Sequence, residues 1–251
     1  MLNFLKKVVE KIIPPSKQLF LRLLTYKILG KVDKEIIYAD KILKKKRRFL
    51  DVGSNVGVYT YFFSNKFRYL EAFEPIKEIT YRLSSLKSKN INLHHLALSD
   101  KDSHLKFYIP IKNGKLIPPI ASLEKKSKPY EERIIKVKKL DSFNFKNVDL
   151  IKIDVEGHEQ KVIMGATKTI KKNFPIIICE IEQRHTLIPI NKIFKLIKNF
   201  GYEGFFFKDN RLHKLKKFSY KIDQEPYLKD VENKNYINNF IFIPHSRNNE
   251  L

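Results

Sequence analysis

The sequence predicts an α/β fold, a doubly wound and mostly parallel sheet with an antiparallel strand near the C-terminus. Three observations carry that reading. Short apolar runs alternate with stretches of helical periodicity as far as residue 200, the pattern of parallel strands joined by crossover helices. The run Phe49-Leu-Asp-Val passes directly into Gly53-Ser-Asn-Val-Gly57 and then into Val58, Tyr61, Phe62 and Phe63. That is a buried strand, a tight glycine turn and the first turns of a helix. Beyond residue 200 come Phe205 to Phe207, a turn at Asp209-Asn210 and a last run, Phe240 to Ile243, with no clear helix between them. Strands joined in this way pair antiparallel.

At 251 residues and 43% hydrophobic content the chain can bury one substantial core, and a second full domain is not expected. Cys179 is the single cysteine, so no internal disulfide is available and a reducing compartment fits. Its setting, Ile-Ile-Ile-Cys-Glu, is that of a buried small hydrophobe. The apolar runs are too short and too often broken by lysine to span a bilayer, and Lys6 and Lys7 interrupt what a secretory signal would need. The expectation is a cytoplasmic protein. Its formal charge of +23 favours anionic partners, yet the lysines are spread along the whole chain, which fits compositional bias better than a nucleic-acid stripe.

Residues 1–40 read as a basic helical extension and 41–251 as the main domain. In the extension Leu5, Val8, Val9, Ile12 and Ile13 recur at helical spacing up to Pro14-Pro15, and Phe20, Leu21, Leu23 and Leu24 follow. Two readings stand: a helical pair packed on the domain edge, or a peripheral contact of residues 1–30 with the inner face of a membrane.

The chemistry-bearing residues gather at strand ends. A glycine turn lets backbone approach a ligand at a helix N-terminus. A dinucleotide fingerprint needs glycine at its first, third and sixth positions, which here are Gly53, Asn55 and Val58. Glu74 closes a second strand, Tyr69 to Glu74, twenty-one residues after Gly53. An acid near that offset accepts hydrogen bonds from ribose hydroxyls in nucleotide-binding α/β folds. A third strand, Ile91 to Leu98, closes in Ser99-Asp100, and His94-His95 within it point opposite ways, a poor chelate. Leu105 to Ile109 alternates as an extra strand, the stretch from Pro110 to Pro129 reads as a long loop, and Ile134 to Leu140 is again strand-like.

The second informative block is Val148-Asp-Leu-Ile-Lys-Ile-Asp-Val-Glu-Gly-His-Glu159. Its first half is a buried strand with Lys152, Asp154 and Glu156 on one side. Charges in such a run are costly unless paired or placed at the ligand end, so Asp154 is either the partner of Lys152 or a functional acid. The following helix turns Val162, Ile163, Ala166 and Ile170 inward. A fifth strand, Ile176 to Ile181, carries Glu180, and a helix with Ile193, Phe194 and Ile197 runs to Gly201.

The Asp51-x-Gly53-x-Asn55-x-Gly57 arrangement resembles the first motif of class I S-adenosylmethionine-dependent methyltransferases. With Phe-Glu-Pro, Ala-Leu-Ser-Asp, Leu-Asp-Ser, Lys-Ile-Asp-Val-Glu-Gly-His-Glu and Asn-Phe-Ile-Phe-Ile-Pro-His, in that order over about residues 45–245, the chain resembles the FkbM family of methyltransferases. The resemblance implies a Rossmann-like core and O-methyl transfer from S-adenosylmethionine to a hydroxyl of a saccharide, lipid-linked saccharide or related small molecule. It implies Asp51, Gly53, Asn55, Gly57, Glu74 and Asp100 as cofactor residues. The chemistry is expected from Asp154, with Glu156, His158 and Glu180 as neighbours, although His158 stands where the family often has a small residue. No metal is expected. Two alternatives stay open: a nucleic-acid methyltransferase, and a non-catalytic membrane-associated binding protein with this fold. Against the first, base-methylating enzymes place Asp/Asn-Pro-Pro-aromatic after the fourth strand, where this chain has Asp154-Val-Glu-Gly.

Overall fold

The computed structural model describes residues 12–125 and 129–250, with the side chains of 248–250 left aside. Leu5, Val8 and Val9 of the expected first helix lie outside the described residues. A helix α1 (Pro15–Ile28) and a second, α2 (Lys34–Ile42), lead into the sheet. The sheet strands are β1 (Arg48–Val52), β2 (Tyr69–Phe73), β3 (Ile91–His94), β8 (Val148–Ile153), β9 (Ile176–Glu180), β10 (Tyr202–Lys208), β11 (Arg211–Lys214) and β12 (Asn239–Pro244). Their order is β11-β10-β12-β9-β8-β1-β2-β3. From β3 to β9 every pairing is parallel. β12 runs antiparallel to β9, and β10 and β11 continue antiparallel, as expected, although a four-residue helix, Tyr220–Asp223, that the sequence reading did not anticipate lies between β11 and β12.

β8 is buried along its whole length, which explains why it reads as a near-continuous apolar run: it lies between β1 and β9 and is covered on both faces. One face packs on α3 (Val58–Phe63) and α2, where Phe63 meets Phe49 and Phe67 edge to face beside Leu70 and Ile178. The other is covered by α4 (Glu159–Gly165), α5 (Thr167–Asn173) and α6 (Ile190–Lys198), which bury Val162, Ile163, Ile170, Ile193 and Ile197. The leading helices belong to these packed layers. Ile36 and Ala39 of α2 are fully buried, and α1 seats Leu19 beside Leu83 and Ala72. The opposite face of α1 leaves Phe20, Leu24 and Ile28 exposed in a stripe four residues apart. Among the described residues no helix is long and apolar enough to cross a membrane.

Two expectations need correction. The third strand is not continuous to Leu98. It breaks after His94, where Leu96 N–H turns back onto the His94 carbonyl at 2.9 Å. A separate β4 (Ala97–Leu98) then pairs with β7 (Tyr130–Lys138) in a second sheet of order β4-β7-β5-β6. Nor is Pro110–Pro129 one long loop. β5 (Ser103–Lys112) runs through it into a hairpin with β6 (Lys115–Leu116). The Asn113-Gly114 turn has φ of 51° and 69°, the left-handed pair that a two-residue hairpin requires. Among the described residues, 117–125 remain as an irregular arm, and it folds back over the C-terminal ends of the parallel strands, pinned by Ser122 Oγ donating to the Glu156 carbonyl at 2.8 Å.

Candidate functional site

The strand ends of β1, β2 and β8 converge on the glycine turn. Gly53 has φ +78°, and a Cβ there would lie 1.8 Å from the Asp154 carbonyl oxygen, so β1 and β8 can approach this closely only with glycine. Gly53 and Ser54 both donate their N–H to the Phe73 carbonyl at 3.0 Å, and Asp154 N–H donates to Val52 at 2.9 Å. Gly57, at φ +87°, caps the start of α3.

Glu74 ties the turn to β2. Its carboxylate accepts Asn55 N–H at 3.0 Å on one oxygen and Ile76 N–H at 2.9 Å on the other. Burial pushes this carboxyl up to about 7, opposed by the two backbone donors and reinforced by the nearby Asp154 and Asp51 charges. Each carboxylate oxygen has a second lone pair, so Glu74 can still accept from a ligand.

A first cavity of about 570 Å³ opens here. Gly53, Asn55, Glu74, Asp154, Glu156 and His158 give it polar walls, and Phe73, Pro75, Leu98 and Phe107 apolar ones. Pro118, Ala121 and Leu123 of the irregular arm close it from above. Of the six residues implied for the cofactor, Gly53, Asn55 and Glu74 reach this cavity. Asp51, Gly57 and Asp100 do not line it. Asp51 is buried and accepts the Thr60 hydroxyl at 2.6 Å, which anchors the first turns of α3. Asp100 accepts from the Ser99 hydroxyl at 3.0 Å.

The acids of the second block are brought together unevenly. Lys152 is buried, and its ammonium donates to Asp154 at 2.9 Å. Burial alone would lower its pKa, but Asp154, Asp33, Glu180 and Asp51 outweigh that and hold it above the ordinary lysine value. Pairing with Lys152 and a cleft position are therefore both true of Asp154, which is still 30% exposed. Glu156 sits at φ +56°, a strained conformation for a residue with a Cβ, with its carboxylate against Nδ1 of His185. Glu180 accepts Asn238 Nδ2 at 2.8 Å; burial and the Asp154 charge hold it far above the ordinary carboxylate value. His158 is buried, with Nε2 2.9 Å from Ser99 Oγ and Nδ1 2.7 Å from Glu124 Oε1. Both ring nitrogens are engaged, so its geometry is that of a strut between β4 and the irregular arm. The His158 hydrogen bond overcomes burial, with help from Lys161, and holds the Glu124 carboxyl down to about 2.

Two residues that matter here carry no sequence signal of their own. Asp33 accepts the Tyr59 hydroxyl at 2.5 Å and adds to the charge around Lys152, and Glu124 orients His158. Asp33 and Glu124 lie far from the motif blocks in sequence, and only folding places them. Among the described residues no group of three or more potential ligands is arranged to hold a metal ion.

Comparison with solved structures places this geometry among methyltransferase folds. The chain superposes on the methyltransferase FkbM of Methylobacillus flagellatus KT with a TM-score of 0.50 and 13% identity, covering 78% of this chain and 43% of that one. The chain thus spans less than half the length of that protein. Weaker likenesses include an rRNA methylase from Streptococcus thermophilus (TM-score 0.46, 9% identity, 83% of this chain and 92% of that one). Another is the precorrin-6y C5,15-methyltransferase of Geobacter metallireducens GS-15 (TM-score 0.43, 10% identity, 82% and 83%). No curated protein sequence matches the chain significantly. The methyltransferase FkbM domain description matches residues 51–203, from the acid that anchors the glycine turn to the first half of β10, and the chain belongs to that family.

Proposed function

We propose that the protein transfers a methyl group from S-adenosylmethionine to a hydroxyl of a saccharide or lipid-linked saccharide. The observation that carries this reading is the convergence of Gly53, Glu74 and Asp154 on one cavity. The residues present fit the cofactor. Glu74 offers lone pairs to a ribose diol, Gly53 and Asn55 line the cavity beside it, and the Phe73, Pro75, Leu98 and Phe107 walls suit a flat base. When bound, S-adenosylmethionine supplies an electrophilic methyl carbon on a positively charged sulfur.

The chain supplies position and a proton acceptor. A sugar hydroxyl is a weak nucleophile while protonated, and a carboxylate within hydrogen-bond reach takes its proton as the oxygen becomes bonded to carbon. Asp154 is the candidate base. It stands at the cleft on the end of β8, and the Lys152 ammonium at 2.9 Å fixes one oxygen and leaves the other for the acceptor. His158 is less suited, because Ser99 and Glu124 occupy its two ring nitrogens and leave neither for an acceptor hydroxyl. The nucleic-acid alternative draws on the net charge, but the neighbouring cleft carries six carboxyl side chains against four lysines. A polyanion has little to gain there.

Comparative mass spectrometry of glycans and glycolipids from cells with and without the gene tests the reading. Loss of one methyl increment on a sugar oxygen is the expected result. Loss of methyl groups from RNA or DNA alone would reject the acceptor class.

A further inference from the structure

The helix α1 is apolar on two sides. Its inner side seats Leu19 beside Ala72 and Leu83, and Leu23 beside Val32 and Val58. Its outer side carries Phe20, Leu24 and Ile28, four residues apart and all exposed. Ile28 is 75% exposed and its neighbour Leu29 61%. At the other end the stripe continues into an open depression that Phe20 shares with Ile12, Ile13, Pro14, Leu21 and Tyr61. Isolated exposed hydrophobics are ordinary on a folded surface, but a continuous apolar run is a contact surface. We infer that this face of α1 docks on a bilayer containing anionic phospholipid, with the helix lying in the headgroup plane.

The charges around the stripe choose the partner. Lys17 stands three residues before Phe20 and Lys27 three after Leu24, so both flank the apolar row, and both are exposed. α1 carries no acid, and from residue 1 to Val32 Glu10 is the single acid in the sequence. An apolar face edged by lysines is the pattern of a helix at a membrane surface. There the long side chains bring their ammonium groups up to lipid phosphates while the apolar residues enter the acyl boundary. A second copy of the chain fits this face badly. A two-fold contact sets a patch against itself and would bring Lys17 and Lys27 towards their own copies with no acid on the helix to offset them. Spanning is out of reach. The 14 residues of α1 cover roughly 21 Å at about 1.5 Å per residue, short of a hydrocarbon core of ~30 Å.

The stripe gives out at Leu29, and Gly30 and Lys31 follow at once in the wall of the cleft that adjoins the first cavity. A docked α1 therefore holds the rim of that cleft near the lipid headgroups. The contact itself does not depend on which acceptor the cleft takes.

The sequence contains no tryptophan, so Phe20→Trp in the full chain puts a single indole on the stripe. Leu24→Trp repeats the measurement one turn further on, and Ile134→Trp puts an indole at an exposed position of β7 for comparison. Vesicles of phosphatidylglycerol and phosphatidylcholine in equal parts should shift the emission of both stripe variants to the blue and leave Ile134→Trp unchanged. Replacing the phosphatidylcholine by its acyl-brominated form should quench the stripe emission about twofold or more, since the apolar face of such a helix sits ~5–10 Å into the headgroup and acyl boundary. Adding Lys17→Gln and Lys27→Gln should weaken partitioning by about 25-fold, roughly fivefold for each basic side chain near an anionic surface. No shift in either stripe variant overturns the docking surface, as does an equal shift in Ile134→Trp. An equal shift with phosphatidylcholine alone overturns the assignment to an anionic bilayer. Blue emission before vesicles are added also overturns it: emission that shifts with protein concentration assigns the face to a second copy, and emission that does not assigns it to residues 1–11 of the same chain.

Discussion

Asp154 holds two roles at one atom pair. Its bond to buried Lys152 keeps a charged lysine inside the sheet, and the same bond aims Asp154 at the cleft. Asp154→Asn is expected to cut turnover about 10²–10⁴-fold, the range for a lost general base, while S-adenosylhomocysteine affinity changes little. Thermal melting decides between accounts, because a collapse in stability would assign Asp154 to structure alone. Glu74 behaves differently. Its carboxyl is raised to about 7, so as pH climbs through that value it ionises and becomes a charge-assisted acceptor for ligand hydroxyls. Cofactor affinity should therefore rise from pH 6 to pH 8, and calorimetric titration at the two values checks it. The sign is opposite for folding. The unfolded carboxyl gives up its proton near 4.5, so Glu74 costs stability on the order of 3 kcal/mol as pH rises from there through 7. The glycine turn, Glu74 and Asp154 were legible in the sequence because each closes an apolar run. The engagement of both His158 nitrogens was not, since Glu124 and Ser99 approach it from 34 and 59 residues away.

Among the elements, strand order follows from patterning, and the irregular arm from turn chemistry. The parallel strands stood out because burial on both faces makes them apolar throughout. The Asn113-Gly114 hairpin signal was present, yet the prolines and lysines around it suggested a loop. β4 is only two residues long, too short for any periodicity to show. The turn between β1 and α3 is the most exacting element, with 1.8 Å separating a hypothetical Gly53 Cβ from Asp154 oxygen. Gly53→Val should abolish cofactor binding and lower the melting temperature, and normal binding would place the site elsewhere. For α1, the exposed stripe of Phe20, Leu24 and Ile28 lies on a helix whose only charged residues are Lys17, Arg22 and Lys27. Flotation with vesicles rich in anionic phospholipid at low salt should retain the protein, and Phe20→Glu with Leu24→Glu should release it. Equal flotation of the variant would remove the stripe from any membrane role.

At the scale of the whole molecule, the sheet gathers its functional groups at one edge. The β1, β2 and β8 termini face a common cleft, as parallel α/β sheets do at the carboxyl ends of their strands. The charge of +23 is spread over a surface whose cleft is acidic by comparison, so net charge is a poor guide to the ligand. A truncated chain starting at Asp33 would keep α2 and its buried Ile36 and Ala39 but lose Leu19, Leu23 and the Lys31–Glu232 pair. It should bind cofactor if it folds, with a lowered melting temperature. The central claim is that the glycine turn and Glu74 hold S-adenosylmethionine in the first cavity. Isothermal titration of S-adenosylhomocysteine into the native chain and into folded Glu74→Ala tests it most directly. One-to-one binding, weakened by about 1.5–3 kcal/mol in the variant, is the expected result; no binding to the native chain, or equal affinity in the variant, would contradict it.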